Sequence, residues 1–553
     1  MKLLYTLLFL ASVLIQISGQ ICSPILDEVS RISNEYRQSS TYALSSLNFD
    51  WSGGPDPFFD GDGIIKLFDL GFSKGIWAGG FDPNGNLKLA ASGYGNSGVD
   101  FTSGPIWEGF QNDVELCEFF RRVWTINASD IASLRSLFND GELELGDIPM
   151  DILEWPANGN PHIKAFTIQE ELAPYFDNNQ DGRYDPLMGD YPIALVENPD
   201  FIPSQFRFYV FNDQTVHGES RATPLDMEFH VLDYVVDCLE QKESESSVFT
   251  RLKYINRGVE DLRDFRIGIW DDEDLGCFEN DYAGCSPSLD ASFTYNADGI
   301  DLIECADGLE PVPMNYGVVK SKVFLNRKLE SSMYFFNSFG MGGQYYSFLD
   351  GRWPDGTPLT FGGDGNNPGS MEFTSHAFSD LPNQPSGWSM QEEFLQGLDI
   401  RNVSVFGVED VVLPSQSGSV DFADHILLSQ SHTGLDVFEL YESRILALRT
   451  EYTAMIEGDF NCEMLSATGD LETLSNFTLH PNPAMDYIVL DFNEAQLGGE
   501  IFIHSTNAME VESYTIYAQT NLKLSVTHLE AGIYMITLRS AVGLLFSQRF
   551  VKL

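Results

Sequence analysis

Positive charge is scarce in this chain. Lys and Arg number 31 against 82 Asp and Glu over 553 residues, a formal net charge of −51. Such a field repels phosphate backbones and anionic headgroups, which argues against nucleic acid and lipid surfaces and suits divalent cations. Long apolar runs are missing as well: after residue 20 no segment offers about 18 continuous apolar positions, so no transmembrane segment is expected. The seven cysteines include no CxxC pair, which speaks against a thiolate zinc site, and their odd number leaves at least one unpaired in a monomer. HExxH and a P-loop are absent. GYGNSG (93–98) has the wrong spacing for a nucleophile elbow, and GGDGNNPG (362–369) lacks the lysine of a phosphate cradle. His217, in FNDQTVHGES, follows a strand-like run and reads as a structural turn histidine before a site residue.

What is present describes a globular chain, 43% hydrophobic and 13% aromatic. Residues 1–19 have the layout of a secretory signal peptide: Lys2, an apolar stretch from Leu3 to Ile17, then Ser18 and Gly19, with cleavage expected before Gln20. FRFYVFND (206–213), MEFHVLDYVV (227–236), VFTRLKYIN (248–256) and FRIGIW (265–270) are strand-like. DPNGN (82–86) suits a hairpin turn with glycine at positive φ. Helical spacing is confined to ASDIASLRSLFND (128–140), with Ser129 or Asp130 as the expected cap, and DVFELYESRILALRTEYTAMI (436–456). The expected fold is therefore mostly β: a β-sandwich-type large region over 20–458 with few helices, a linker at 459–475, and a small C-terminal Ig-like β-sandwich over 476–553.

Two acidic stretches are candidate sites. In FDNNQDGRYDPLMGDYP (176–192), Asp177, Asn179 and Asp181 alternate as in a calcium loop, Gly182 permits the turn and Arg183 offers its carbonyl. Met188 stands where an EF-hand closes with a carboxylate, so Asp185 or Asp190 must complete the shell. The competing reading is an Asx-rich turn held by its own hydrogen bonds. In WDDEDLGCFENDYAGC (270–285), Asp271, Asp272, Asp274 and Asp281 crowd after an apolar strand. They imply a weaker metal site, a solvated acidic loop pinned by a Cys277–Cys285 disulfide, or catalytic carboxylates. Trp51, Trp77, Trp107, Trp155, Trp353 and Trp388 lie near loop-forming residues, where aromatic rings can stack on sugars, although core burial is the commoner fate.

The C-terminal stretch contains Pro481-Asn482-Pro483 with Asp486, then Gly532-Ile533-Tyr534, then Phe550-Val551-Lys552-Leu553. In that order and spacing these resemble the type A C-terminal sorting domain of the type IX secretion system of Bacteroidota. The resemblance implies that Pro481, Asn482, Pro483, Asp486, Gly532, Tyr534 and Lys552 carry the sorting motif. It also implies that the secretion machinery is a partner and that the chain travels through the periplasm to the cell surface or medium. GIWAGGFDPNGNLKLAASGYGNSGVDF (75–101), WPANG (155–159) and DGRWPDGTPLTFGGDG (350–365) resemble a region of large secreted type IX cargo without an established activity. The expected role is a calcium-stabilised binding or adhesion module for extracellular glycans or polymers. The alternative is an extracellular hydrolase using the acidic residues near 271–281.

Overall fold

The computed structural model describes residues 73–93, 99–107, 119–163, 172–236, 243–273, 280–296, 317–336, 342–394, 399–429, 432–460, 477–480, 487–505, 510–527, 532–540 and 545–552, with a few isolated positions and short strand pairs besides. The chain divides into two compact units, residues 1–43 with 68–464 and residues 44–67 with 465–553.

The first unit is built on two antiparallel sheets. The larger has nine strands in the order Asp281–Ser286, Ala291–Asn296, Gly317–Phe324, Ser417–Ser429, Ser247–Asn256, Met227–Val235, Gln205–Asn212 and Thr102–Ser103, with Trp124–Asn127 also pairing to Gln205–Asn212. The smaller runs Leu329–Phe336, Ile400–Phe406, Leu262–Asp272, Ser73–Phe81 and Leu87–Ala91, with Val411–Val412 against Leu262–Asp272. Their facing sides share one apolar layer, including Phe229, Val231, Phe324 and Phe422 from the larger sheet and Ala78, Ile267, Ile269 and Phe406 from the smaller.

Both outer faces are covered too. Helix Phe438–Glu457 lays Tyr441, Ile445, Leu448, Tyr452 and Met455 over the larger sheet, with Tyr452 stacked on Phe249 at 6.3 Å. Helix Gly342–Leu349 covers the smaller sheet, its Tyr345 meeting Trp77 edge-on at 4.7 Å. A strand covered on both faces has no solvent side, which is why all nine residues of Met227–Val235 are buried and why its alternation is only partial in sequence. The polar members of that strand must then find partners, and Glu228 does so with His230 at 2.7 Å and Arg257 at 2.9 Å. Burial raises the Glu228 pKa, but those partners more than offset it and hold the carboxyl at about 2.

Local chemistry sets the turns. Gly85 adopts φ +83° in the hairpin after Ser73–Phe81, and the Asp82 carboxylate accepts from the N–H groups of Asn84 and Asn86 at 2.8 Å. The first expected helix forms over Ala128–Asp140, but Asn127, not Ser129 or Asp130, is its N-cap. Strand Trp124–Asn127 runs straight into the helix, so the change of backbone conformation falls one residue before Ala128.

The second unit is a five-stranded antiparallel sheet folded over its own core. Its long strand Tyr487–Ser505 shifts register between Asp491 and Gln496. The first part pairs with Phe477–His480 and the later part with Gly532–Ser540, which pairs with Leu545–Lys552. Ile488, Leu490, Ile501, Ile503, Leu524 and Ile536 fill the space between. Among the described residues no helix is long and apolar enough to cross a membrane.

Candidate functional site

The acidic knot after Trp270 lies inside the sandwich rather than in an open loop. Asp271 follows Ile267 and Ile269 on the inward face of its strand, and Asp424 follows Phe422 on the opposite sheet. Asp271, Glu273 and Asp424, all buried, bring carboxylate oxygens within 4.8 Å of one another. The cations beside them are lysines. Lys322 Nζ donates to Asp424 Oδ1 at 2.5 Å and lies 3.1 Å from Asp271 Oδ1, Lys74 Nζ donates to Asp424 Oδ2 at 3.0 Å, and Lys320 pairs with Glu273. Lys74 and Lys322 also stand over the Phe422 ring, at 5.4 and 5.2 Å. Burial pushes the Asp424, Glu273 and Asp233 carboxyls above their ordinary range. Burial, with Lys322 nearby, holds the Lys74 ammonium well below the usual lysine range. Of the other expected ligands, Asp272 pairs with Arg401 at 3.3 Å and Asp281 accepts from the Leu275 N–H at 3.0 Å, while Asp274 lies outside the described residues.

The expected Cys277–Cys285 bridge does not form. Cys285 is a free, buried thiol that donates to the Ala377 carbonyl at 3.2 Å, because its strand points it into the intersheet layer. Cys277 lies outside the described residues. Cys238 is disulfide-bonded, to a partner that also lies outside them.

In the loop at 176–192 the side chains serve the loop's own backbone. Asp177 accepts from the N–H groups of Gln180 at 2.7 Å and Gly182 at 2.8 Å, and Asp181 accepts from Arg183 N–H at 2.8 Å. Asn179 Oδ1 accepts from Asp181 N–H at 3.0 Å. Asp190, buried, takes the Asn178 and Asp185 N–H groups at 2.9 and 2.8 Å and so ties the loop's two ends together. Gly182 has φ +77°, as the turn requires. The loop is knitted to WPANG: Tyr184 N–H donates to the Asn158 carbonyl at 2.9 Å, and Asn158 Nδ2 to the Gly182 carbonyl at 2.9 Å.

Through Asp185 the loop reaches a cleft. Asp185 Oδ1 lies 2.9 Å from His162 Nε2, and His162 lines a hollow of about 350 Å³ with Phe119, Leu145, Met150, Leu153, Glu154 and Ile163. Leu145 and Met150 are 52% and 59% exposed, open to a ligand at no cost in core packing. Glu154 is oriented by Arg122, whose Nη1 donates at 2.6 Å and whose Nη2 reaches Asp151 at 2.6 Å. Sequence reasoning missed this cleft because Leu145, Met150 and Leu153 sit in helical pieces of three and four residues, too short to show periodicity.

The remaining expected candidates are structural. His217 is buried, with Nδ1 2.8 Å from the Leu89 carbonyl and Nε2 2.8 Å from the Asp213 carbonyl. The Asp100 and Asp213 carboxylates lie 3.6 Å away on either side, so the ring is enclosed by carbonyl and carboxylate oxygens of the fold. Burial, countered by His217, raises the Asp213 carboxyl to about 6. Trp77, Trp155 and Trp388 are buried, the commoner fate of such residues, Trp107 and Trp353 are half-buried, and Trp51 lies outside the described residues.

In the C-terminal unit, Pro481, Asn482, Pro483 and Asp486 lie outside the described residues. Ala484, between them, is buried and bridges Lys552, which is in register with Gly532, while Tyr534 is in register with Phe550. Three pieces far apart in sequence thus meet at one corner. Residues 478–552 match the family model described as "Secretion system C-terminal sorting domain". The chain is accordingly cargo of the type IX secretion system, delivered to the cell surface or the extracellular space. No curated protein matches the chain. Among solved structures a polysaccharide lyase is similar at 9% identity over 59% of this chain, which spans 34% of that chain's length, with a TM-score of 0.18. A superposition that loose carries no argument about activity.

Proposed function

We propose that the exported chain is a binding module for extracellular polymers and that the cleft at Phe119–Ile163 is its ligand site. One observation carries this reading: the described acidic residues near 271–281 are buried and held by lysine, arginine or backbone partners, whereas the cleft is open, apolar-walled and furnished with Glu154 and His162. The test is a glycan-array and polymer-binding screen of the secreted protein beside its Leu145→Ser/Met150→Ser variant, with product release measured in parallel. Both positions are exposed, so folding should change by no more than about 0.5 kcal/mol. Binding is expected to weaken about tenfold, or roughly 1.4 kcal/mol. Degradation of a bound polymer would replace this reading with the hydrolase.

Calcium belongs to the same proposal at 177–190, where Asp177, Asn179, Asp181, Asp185 and Asp190 crowd one loop behind His162. Ion binding there would stabilise the folded state by mass action. Chelation is expected to lower the melting temperature of the secreted protein and weaken ligand binding. Identical melting with and without chelator removes calcium from the reading.

A further inference from the structure

A sorting domain must present a surface to the machinery that reads it, and alternation along the strands selects one here. Ile488 and Leu490 enter the core, which turns Tyr487 outward. On strand Glu510–Ser525, which pairs antiparallel with Tyr487–Ser505, Leu524 enters and Lys523 faces out. Met485 and Tyr487, 66% and 41% exposed, are the large exposed apolar side chains among the described residues of this unit. Lys523 Nζ lies 3.6 Å from the centre of the Tyr487 ring, an attraction that holds both side chains in place while leaving them accessible. The patch adjoins the corner described above, since Ala484 directly precedes Met485 and bridges Lys552, itself in register with Gly532.

We propose that Met485, Tyr487 and Lys523 form the docking face by which the type IX export machinery engages this cargo. The fitting partner surface is apolar and carries carboxylates. It would meet an exposed ammonium on a protein whose net charge is −51, where a cation stands out against its surroundings. Tyrosine with a fixed cation is an economical anchor, giving large contact area for little loss of side-chain freedom.

The test compares full-length protein and two variants, Met485→Ser/Tyr487→Ser and Lys523→Glu, in a host with type IX secretion. Secreted and periplasmic fractions are quantified, and the unfolding midpoint and protease resistance of each purified protein are measured. The secreted fraction is expected to fall at least tenfold in both variants, with folded, tail-bearing protein accumulating in the periplasm. Tyr487→Phe keeps the ring and the cation contact and is expected to export normally. Normal export of the two variants overturns the proposal. Retention of unfolded, protease-sensitive material also overturns it, because that result assigns these residues to the fold.

Discussion

Lys322→Met is expected to destabilise the first unit by about 3–5 kcal/mol, the usual cost of removing one partner from a buried ion pair. The Lys322, Asp271 and Asp424 side chains are 3%, 5% and 6% exposed, so no water replaces the lost ammonium. Asp424 would keep only Lys74 as a cationic partner, and Lys74 holds its proton weakly. Denaturant unfolding followed by circular dichroism reads the loss directly. Adding Asp424→Asn should return part of it, because the stranded carboxylate goes too. A coupling of about 1–3 kcal/mol between the two changes is expected. Additive effects would show that the lysine acts by packing on Phe422 and not by charge.

Acidification should expose a second large effect at His425. This side chain is fully buried, with Nδ1 3.0 Å from Ser247 Oγ, Nε2 3.7 Å from Glu243 Oε2, and Glu243 itself paired with Arg444. Burial chiefly holds the imidazole at about 4, against an ordinary value near 6.5. A depressed histidine pKa means that the unfolded chain takes up the proton first. Its contribution is fully present above about pH 6.5 and falls as pH drops toward 4, by roughly 1.4 kcal/mol per unit. Asp213, raised to about 6, works in the opposite direction over part of this window, so the signal is read by difference. Between pH 6.5 and 4.5 the stability gap between the native protein and His425→Asn should shrink by about 2–3 kcal/mol. A gap independent of pH would place the histidine in a solvated setting that the fold does not provide.

The strands were legible because their apolar and β-branched residues cluster between clear turns. Runs 206–213, 227–236 and 248–256 lie within a residue or so of Gln205–Asn212, Met227–Val235 and Ser247–Asn256. The Asp82 turn and both helices were legible from local chemistry as well. The ion-pair cluster was not, since Lys74 and Asp424 are separated by 350 positions and only sheet pairing brings them together. A trace of it was present in GVVKSKVF, where Lys320 and Lys322 share one face of an apolar strand, a pattern that demands buried partners. The disulfide expectation failed for a related reason. Proximity in sequence does not fix which way a strand turns a cysteine, and pairing with Ala291–Asn296 sends Cys285 inward.

That inward thiol bears on how long the protein lasts once exported. Burial raises the Cys285 pKa to about 12, so at neutral pH only about one molecule in 10⁵ carries the reactive thiolate. Oxidants and disulfide exchange both act through that form. An exported chain can therefore carry a reduced cysteine beside the bonded Cys238 without scrambling it, and the folded sandwich itself is the protecting group.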